Sequence, residues 1–524
     1  MRFFNTAGPM DPARHYCLPP LERLDLQRVL TLIDQQKYFV LHAPRQTGKT
    51  SSLLALRDHL NTDDEYRCVY TNVEVGQSAR ENVDAAIRAI LGELSIQLRH
   101  LGEETLELPW WQLVEQHGGH GALKAALGCW AEQSERPVVV LIDEIDSLLG
   151  DTLIAVLRQL RAGYTDRPRH FPQSVVLCGV RDVRDYRIHS SAEKAIITGG
   201  SAFNIKAASL RLGDFDRDES DRLLQQHTAA TGQVFESTAL AKIWDLSQGQ
   251  PWLTNALAYE VCFEMAAARN RQRTITPEMV DEAKETLILR RETHLDQLAD
   301  KLREPRVQLV IAPLLEGSEL PIDIPADDLD YVRDLGLIRA HGELAIANPI
   351  YREIIPRELT YTTERTIAQQ TDWYVQTDGR LDMSALLAAF QAFFREHSEH
   401  WVERFQYREA GPQLLLQAFL QRIVNSGGRI EREYGLGRMR TDLLVLWPHP
   451  GGVQKVVIEL KLLHKSLDRT VAEGLEQVWA YGDRCGAEER HLVVFDRRTG
   501  RSWEEKLFRR DEMVRGWGVM VWGM

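Results

Sequence analysis

Two groups of residues in this 524-residue chain have the types and spacing that chemistry requires. The first is Ala43-Pro44-Arg45-Gln46-Thr47-Gly48-Lys49-Thr50. Gly48 lets the backbone curl so that its N–H groups face phosphate oxygens, beside the positive end of a helix opening at Lys49. Lys49 supplies a point charge toward β- and γ-phosphates, and Thr50 offers a hydroxyl to Mg²⁺. Ala43 stands where such loops usually carry glycine. Further along, the apolar run Val138 to Ile142 ends in Asp143-Glu144. A buried run ends in two carboxylates only where something offsets their desolvation. Mg²⁺ at Asp143 would do so, leaving Glu144 as the general base that polarises an attacking water.

The second group is Asp442 with Glu459-Leu460-Lys461. Strand side chains alternate, so Glu459 and Lys461 project from one face about 7 Å apart. Val456, Ile458 and Leu460 occupy the other face and reach a core. Asp442, on a neighbouring antiparallel strand, is expected to meet the Glu459 carboxylate. Two carboxylates beside a lysine can hold Mg²⁺ and help deprotonate water for attack on a phosphodiester. The spacing alone carries no information, because Glu282-Ala283-Lys284 and Glu504-Glu505-Lys506 repeat it in expected helices. Context separates Glu459, which ends the β-branched run Val456-Val457-Ile458. Gln477 and Tyr481 lie four residues apart on one face of the next helix, as a supporting pair would. Two plainer readings of the same residues are a charged edge of a small sheet and a nuclease-like fold that does not cleave.

The elements that must position these groups follow from periodicity. Tyr38–His42, Val138–Ile142 and Ser174–Cys178 read as buried strands. Lys49–Leu60 and Asn82–Leu98 read as helices, and the alternation implies a parallel sheet covered on both faces. Residues 218–291 are helical with a break at Gln248-Gly249-Gln250-Pro251. Asp334–Ile338 turns into a small hairpin within a winged-helix-like stretch. The helix Gln413–Asn425 opens a separate α/β pattern, with strands near 429–434, 440–446, 455–461 and 491–495 and a helix over 471–483. The expected divisions are 1–215, 216–300 (helical lid), 301–360 (winged-helix-like), 361–400 (connector) and 401–524.

Composition agrees with a multidomain globular protein: 44% of residues are hydrophobic and 27% charged. No apolar run is long enough to span a membrane, and no secretory leader is visible. The six cysteines form no close pair, which points to a reducing cytoplasm. Net charge is −13, yet residues 401–524 carry 20 Lys and Arg against 17 Asp and Glu. That stretch is the better candidate for touching a polyanion.

Residues 1–360 resemble the AAA-like ATPases of the archaeal-type and signal-transduction branch of P-loop NTPases. The matching stretches are Ala43–Thr50, Leu141–Asp146, Leu177–Asp182, Gly249–Leu253 and Asn348–Tyr351. The resemblance implies ATP and Mg²⁺ as cofactors and Glu144 as the catalytic base. It also implies a sensor strand near Cys178, with Arg181 the nearest polar sensor candidate or else an ion-pair partner of Asp182 or Asp185. Arg158 and Arg161 are either arginine fingers across a homo-oligomer interface or a solvated helix face. Residues 409–500 resemble the PD-(D/E)XK nuclease superfamily. Asp442, Glu459 and Lys461 match its core motif, Thr441 replaces the motif's proline, and Gln477 with Tyr481 match the helix signature of one branch. A further acidic ligand is one of Glu409, Glu431 and Glu433.

The expectation is thus an α/β protein with four parts: a P-loop NTPase parallel sheet, a helical lid, a winged-helix-like unit and a C-terminal restriction-endonuclease-like domain. ATP turnover would govern a Mg²⁺-dependent nuclease acting on nucleic acid, DNA foremost. The alternative is an ATP-dependent signalling or scaffold protein whose C-terminal domain binds without cleaving.

Overall fold

The computed structural model describes residues 2–62, 65–101, 110–182, 186–190, 195–290, 301–302, 304–316, 324–355, 374–404, 416, 419–420, 428–433, 442–463, 466–496, 498 and 501–524. It divides into two units. One comprises Met1–His294 with Leu329–Ile350, and the other Leu295–Asp328 with Tyr351–Met524. The stretch 301–360, expected as a single winged-helix-like element, is therefore shared between them.

In the first unit, β1 (Phe3–Phe4) and β2 (His15–Tyr16) form a short parallel ladder. The main sheet contains β3 (Tyr38–His42), β4 (Arg67–Asn72), β5 (Val138–Asp143) and β6 (Ser174–Gly179). An antiparallel pair, β7 (Arg187–Ser190) and β8 (Ala195–Thr198), precedes its last strand, β9 (Lys206–Arg211). The five strands are parallel, in the order β4-β5-β6-β3-β9. Alternate residues serve opposite faces. Val40, Val140, Ile142 and Leu177 pack under the helices Val83–His100, Ala122–Gln133 and Gly150–Ala162. Phe39, Leu41, Val139, Leu141 and Cys178 pack under Leu26–Asp34 and Lys49–Thr62. With both faces covered, the central strands have no polar side to show, which is why they read as continuous apolar runs.

The helices Arg217–Thr231, Ser237–Ser247, Pro251–Tyr259 and Pro277–Arg290 follow. The break between the second and third is built by Gly249, at φ +76°. Its carbonyl accepts from Phe215 N at 2.9 Å, and Gln250 caps the next helix by accepting from Leu253 N. A side chain at Gly249 would start 2.1 Å from the Phe215 carbonyl oxygen. The expected hairpin is present at Leu337–Ala347, where Ala347 N donates to Leu337 O and Arg339 N to Ala345 O.

The second unit is built on a six-stranded mixed sheet. Its strands are β10 (Arg429–Glu433), β11 (Asp442–His449), β12 (Gly452–Leu462), β13 (Glu489–Phe495), β14 (Phe508–Val514) and β15 (Trp517–Gly523). The order is β10-β11-β12-β13-β15-β14. β12 and β13 are parallel, joined by the helix Leu467–Cys485, β13 and β15 are also parallel, and the pairs β10–β11, β11–β12 and β14–β15 are antiparallel. β14 is one of the two outer strands and carries Arg509, Arg510, Asp511 and Glu512 on its two faces. The helix Met383–Arg404, in the stretch expected as a connector, contributes Leu386, Leu387 and Phe390 to this unit's core, against Val456, Ile458 and Leu460. On the other face Val457, Leu492 and Val494 pack beneath Val471, Val478 and Tyr481 of the Leu467–Cys485 helix. The expected helix Gln413–Asn425 lies mostly outside the described residues.

Substituting Gly249→Ala combines an unfavourable φ with a backbone clash, so the full chain should lose about 3 kcal/mol of stability, measured by denaturant unfolding.

Candidate functional site

Where β3 ends, the chain turns through Ala43–Gly48 and enters the helix at Lys49. Gln46 at φ +57° and Gly48 at φ +95° shape the turn. A Cβ at Gly48 would also lie 2.9 Å from Arg23 Nη1, which would have to shift. Arg23 braces the loop by donating to Thr47 O (2.7 Å) and to Gly213 O (2.5 Å), with its guanidinium over the Phe215 ring. Thr47 Oγ1 closes the loop onto Pro44 O at 2.8 Å. Lys49 is buried, its Nζ donating to Ala43 O at 2.9 Å and Pro44 O at 3.0 Å. Those neutral carbonyls are contacts a cation would exchange for the oxygens of a bound phosphate.

The parallel sheet brings the second motif to the same edge. Asp143, the last residue of β5, is 0% exposed. Thr50 Oγ1 donates to its Oδ2 at 2.7 Å, Tyr70 OH to the same oxygen at 3.0 Å, and Glu144 N to its Oδ1 at 3.0 Å. Hydroxyl and carboxylate in direct contact are the hard oxygen pair that Mg²⁺ takes, so Thr50 and Asp143 fit the ion that this class of loop implies. Tyr70 is a site residue that the pattern of motifs did not reveal. It lies on β4, whose register sets Asn72 beside Asp143. Glu144 adopts a left-handed conformation (φ +56°, ψ +40°). Burial, then the neighbouring Asp146, raise its pKa above the ordinary glutamate value, while Lys49 opposes them.

Other candidates have different partners. The Arg181 guanidinium lies over the rings of Tyr186 (4.6 Å) and Tyr331 (4.7 Å). Asp182 pairs with Lys206 rather than with Arg181, and Asp185 lies outside the described residues. Arg161 donates to Ser201 O, and Arg158 lines an open cavity with Glu81, Asp84, His120 and Asp151. Beside the loop, Arg211 donates to Asp334 Oδ1 (2.7 Å) and Arg333 O. His42 Nδ1 lies 3.6 Å from Asp334, but burial, then Arg211, pull its pKa down to about 4, so it is neutral at pH 7.

In the second unit, Glu459 and Lys461 share a face of β12 and are 1% and 4% exposed, with Lys461 Nζ donating to Glu459 Oε1 at 2.5 Å. As expected, β11 and β12 are antiparallel neighbours: Leu443 pairs with Ile458, adjacent respectively to Asp442 and Glu459. Asp442 is described by its backbone, as are Glu431 and Glu433 on β10, where Glu433 pairs with Asp442. Glu409 and Thr441 lie outside the described residues. Gln477 and Tyr481 lie on the helix over this face, Tyr481 being buried among Val457, Leu492 and Val494.

Residues 33–186 match a family described as AAA domain. Among solved structures, a Walker-type ATPase of Pyrococcus abyssi is 15% identical, with a TM-score of 0.46, over 67% of this chain and 99% of that one. Cdc6p of Pyrobaculum aerophilum is 16% identical (TM-score 0.36; 65% and 93%). The RuvB Holliday junction branch migration motor of Thermotoga maritima is 13% identical (TM-score 0.32; 64% and 94%). No curated protein matches the chain. Family match, parallel sheet and site together identify an AAA-type P-loop ATPase domain in the first unit. Among the described residues, no helix is long and apolar enough to cross a membrane, and all six cysteines are free.

In its expected role of general base Glu144 acts as the carboxylate, and its pKa is raised, so in that role ATP turnover should climb with pH to a plateau through an inflection above the ordinary glutamate value of 4.5. Glu144→Gln should lower kcat about 100-fold and abolish that inflection while ATP still binds, as steady-state rates and titration calorimetry would record.

Proposed function

We propose that ATP binding and hydrolysis in the AAA-type domain govern a Mg²⁺-dependent nuclease in the C-terminal unit, with DNA as its substrate. In the first unit, Lys49 exchanges the Ala43 and Pro44 carbonyls for phosphate oxygens. Thr50 and Asp143 would hold Mg²⁺, and Glu144 orients and deprotonates the attacking water. Bound Mg²⁺ supplies charge neutralisation at the phosphates.

The single observation carrying the nuclease reading is the buried Glu459–Lys461 pair on the strand next to Asp442. Two charges taken out of water contribute little to stability compared with apolar residues of the same volume, so a fold has no structural need of them. Their chemistry suits phosphodiester hydrolysis: Glu459 with Asp442 would hold Mg²⁺, which supplies Lewis acidity when bound. Lys461, tied to Glu459, orients the water and faces the negative charge that develops on the phosphate. Gln477 and Tyr481 support that face from the adjoining helix.

One feature favours the second reading, an ATP-controlled adaptor that binds nucleic acid or a partner without cutting. Lys461 Nζ already donates to Glu459 Oε1, and both side chains are almost wholly enclosed.

A nicking assay on supercoiled and linear DNA, with Mg²⁺ or Mn²⁺ and with or without ATP, separates the two. Cleavage should be abolished by Lys461→Ala, a loss of about 100-fold or more, with ATP turnover unchanged, whereas Lys49→Ala should abolish turnover. Undiminished cleavage by Asp442→Ala would overturn the assignment of that residue. DNA binding with no cleavage in any condition would select the adaptor.

A further inference from the structure

In the second unit, the C-terminal end of the Leu467–Cys485 helix covers an arginine that no acidic group answers. Strand alternation puts Arg490 of β13 on the face of Leu492 and Val494, beneath this helix, where it is 3% exposed. The helix makes room for it at Gly482, where a Cβ would lie 2.1 Å from Arg490 Nε. Trp517, at the start of β15, closes over it with its ring centre 3.9 Å from the guanidinium. Among the described residues, Arg490 Nε and Nη1 are buried with no hydrogen-bond partner, and no carboxylate pairs with the side chain. The last carbonyls of the helix are already taken: Gly482 O accepts from Ala487 N at 2.9 Å, and Cys485 O from Lys455 Nζ at 3.1 Å.

A second arginine lies on a second indole beside the first. Arg515, in the turn before Trp517, sits 4.1 Å from the centre of the Trp479 ring and donates to Glu476 Oε2 at 2.8 Å. Trp479 Nε1 is also buried without a partner. The unsatisfied atoms of this cluster are therefore all donors, which calls for an acceptor-rich anion, and guanidinium is the group best matched to phosphate. A contact with one ring offsets only part of what it costs to bury an unpaired charge. The Trp517 side chain is nonetheless 44% exposed, so an aromatic surface stays open next to that charge.

We infer that this cluster binds single-stranded nucleic acid, with one base stacked on Trp517 and the adjoining phosphate held by Arg490 and Arg515. Binding tilts the indole onto the base and opens the Arg490 donors to the phosphate. Stacking on an aromatic ring with arginine alongside is the sequence-tolerant way to hold a single strand. A duplex, whose bases already stack on one another, offers the indole no free base face. The cluster is apart from Glu459 and Lys461, which pair in register with Leu492 and Val494, while Arg490 pairs with Val457 nearer the start of β12. It requires neither cleavage nor ATP, so it goes beyond the nuclease reading and does not rest on it.

The test uses the full chain in EDTA without nucleotide, and a short DNA strand in which 5-bromouracil replaces thymine. Under ultraviolet light a bromouracil stacked on an indole crosslinks to it, and the crosslink should map to Trp517, within the tryptic peptide 516–524. The strand concentration giving half-maximal crosslinking there should rise about tenfold in Arg490→Met. The thermal midpoint of that variant should be no lower than that of the wild type, because an unpaired buried charge has been removed. Annealing the strand into a duplex should lower crosslinking at Trp517 about tenfold. Crosslinks that fall elsewhere and spare Trp517, or none at all, overturn the inference, as does a duplex that crosslinks there equally well. Suppression of the Trp517 crosslink by oligoglutamate at equal concentration overturns it in favour of an acidic protein partner. A lowered midpoint in Arg490→Met, with crosslinking lost, makes Arg490 structural and overturns its assignment to the phosphate.

Discussion

Asp143 sits at the C-terminal end of a strand with neighbours on both sides and helices over both faces, a position from which water is excluded. A carboxylate there is tolerable only if its lone pairs are filled, and three donors fill them: the Thr50 hydroxyl, the Tyr70 phenol and the Glu144 amide. Each donor comes from a different piece of chain, so the requirement reaches outward. It holds the first turn of the Lys49 helix against β5, sets the register of β4, and bends the backbone at Glu144 into a left-handed conformation. Strain of that kind persists where surrounding contacts over-determine it, and it is common at functional sites. The loop before Lys49 is braced separately by Arg23, so the two halves of the site are positioned by independent contacts.

The second unit confronts the same problem in another way. Glu459 and Lys461 are as deeply enclosed as Asp143, but they answer each other directly across one face of β12. The sheet provides the geometry cheaply: alternation puts the pair on one face and Val456, Ile458 and Leu460 on the other, where they anchor the strand in the core beneath Met383–Arg404. The strand is fixed in the core by its apolar side, while Glu459 and Lys461 lie enclosed on the other.

What could be read from residues alone follows this division. β3, β5 and β6 were legible because strands covered on both faces are uninterrupted apolar runs, and the loop between β3 and its helix was legible from glycine, lysine and threonine in order. β4 and β9 were less so, because their runs start and end in arginine, lysine or asparagine at the margins of the sheet. β14 escaped because its charged residues carry no hydrophobic period. Tyr70 could not be assigned to the site without knowing that β4 lies beside β5. The stacking of Arg181 on Tyr331 joins residues far apart in the chain, and no local pattern announces it. Antiparallel pairing of the Asp442 and Glu459 strands was foreseeable, since a short turn at Pro450–Gly451 leaves no other arrangement.

The outer strand β14 of the second sheet bears on how the protein behaves in a crowd. An edge presents a row of unsatisfied amides and carbonyls that any extended peptide could zip onto, including the same strand of another copy. On β14 that invitation is blunted, because Arg509, Arg510, Asp511 and Glu512 put charge on both of its sides, and a newcomer would have to strip their hydration to settle there. The tight reversal at Arg515-Gly516, with both residues at positive φ, adds the twist that flat fibrillar stacking does not accept. At the β14 edge the barrier to further pairing is therefore electrostatic rather than a want of hydrogen-bonding groups.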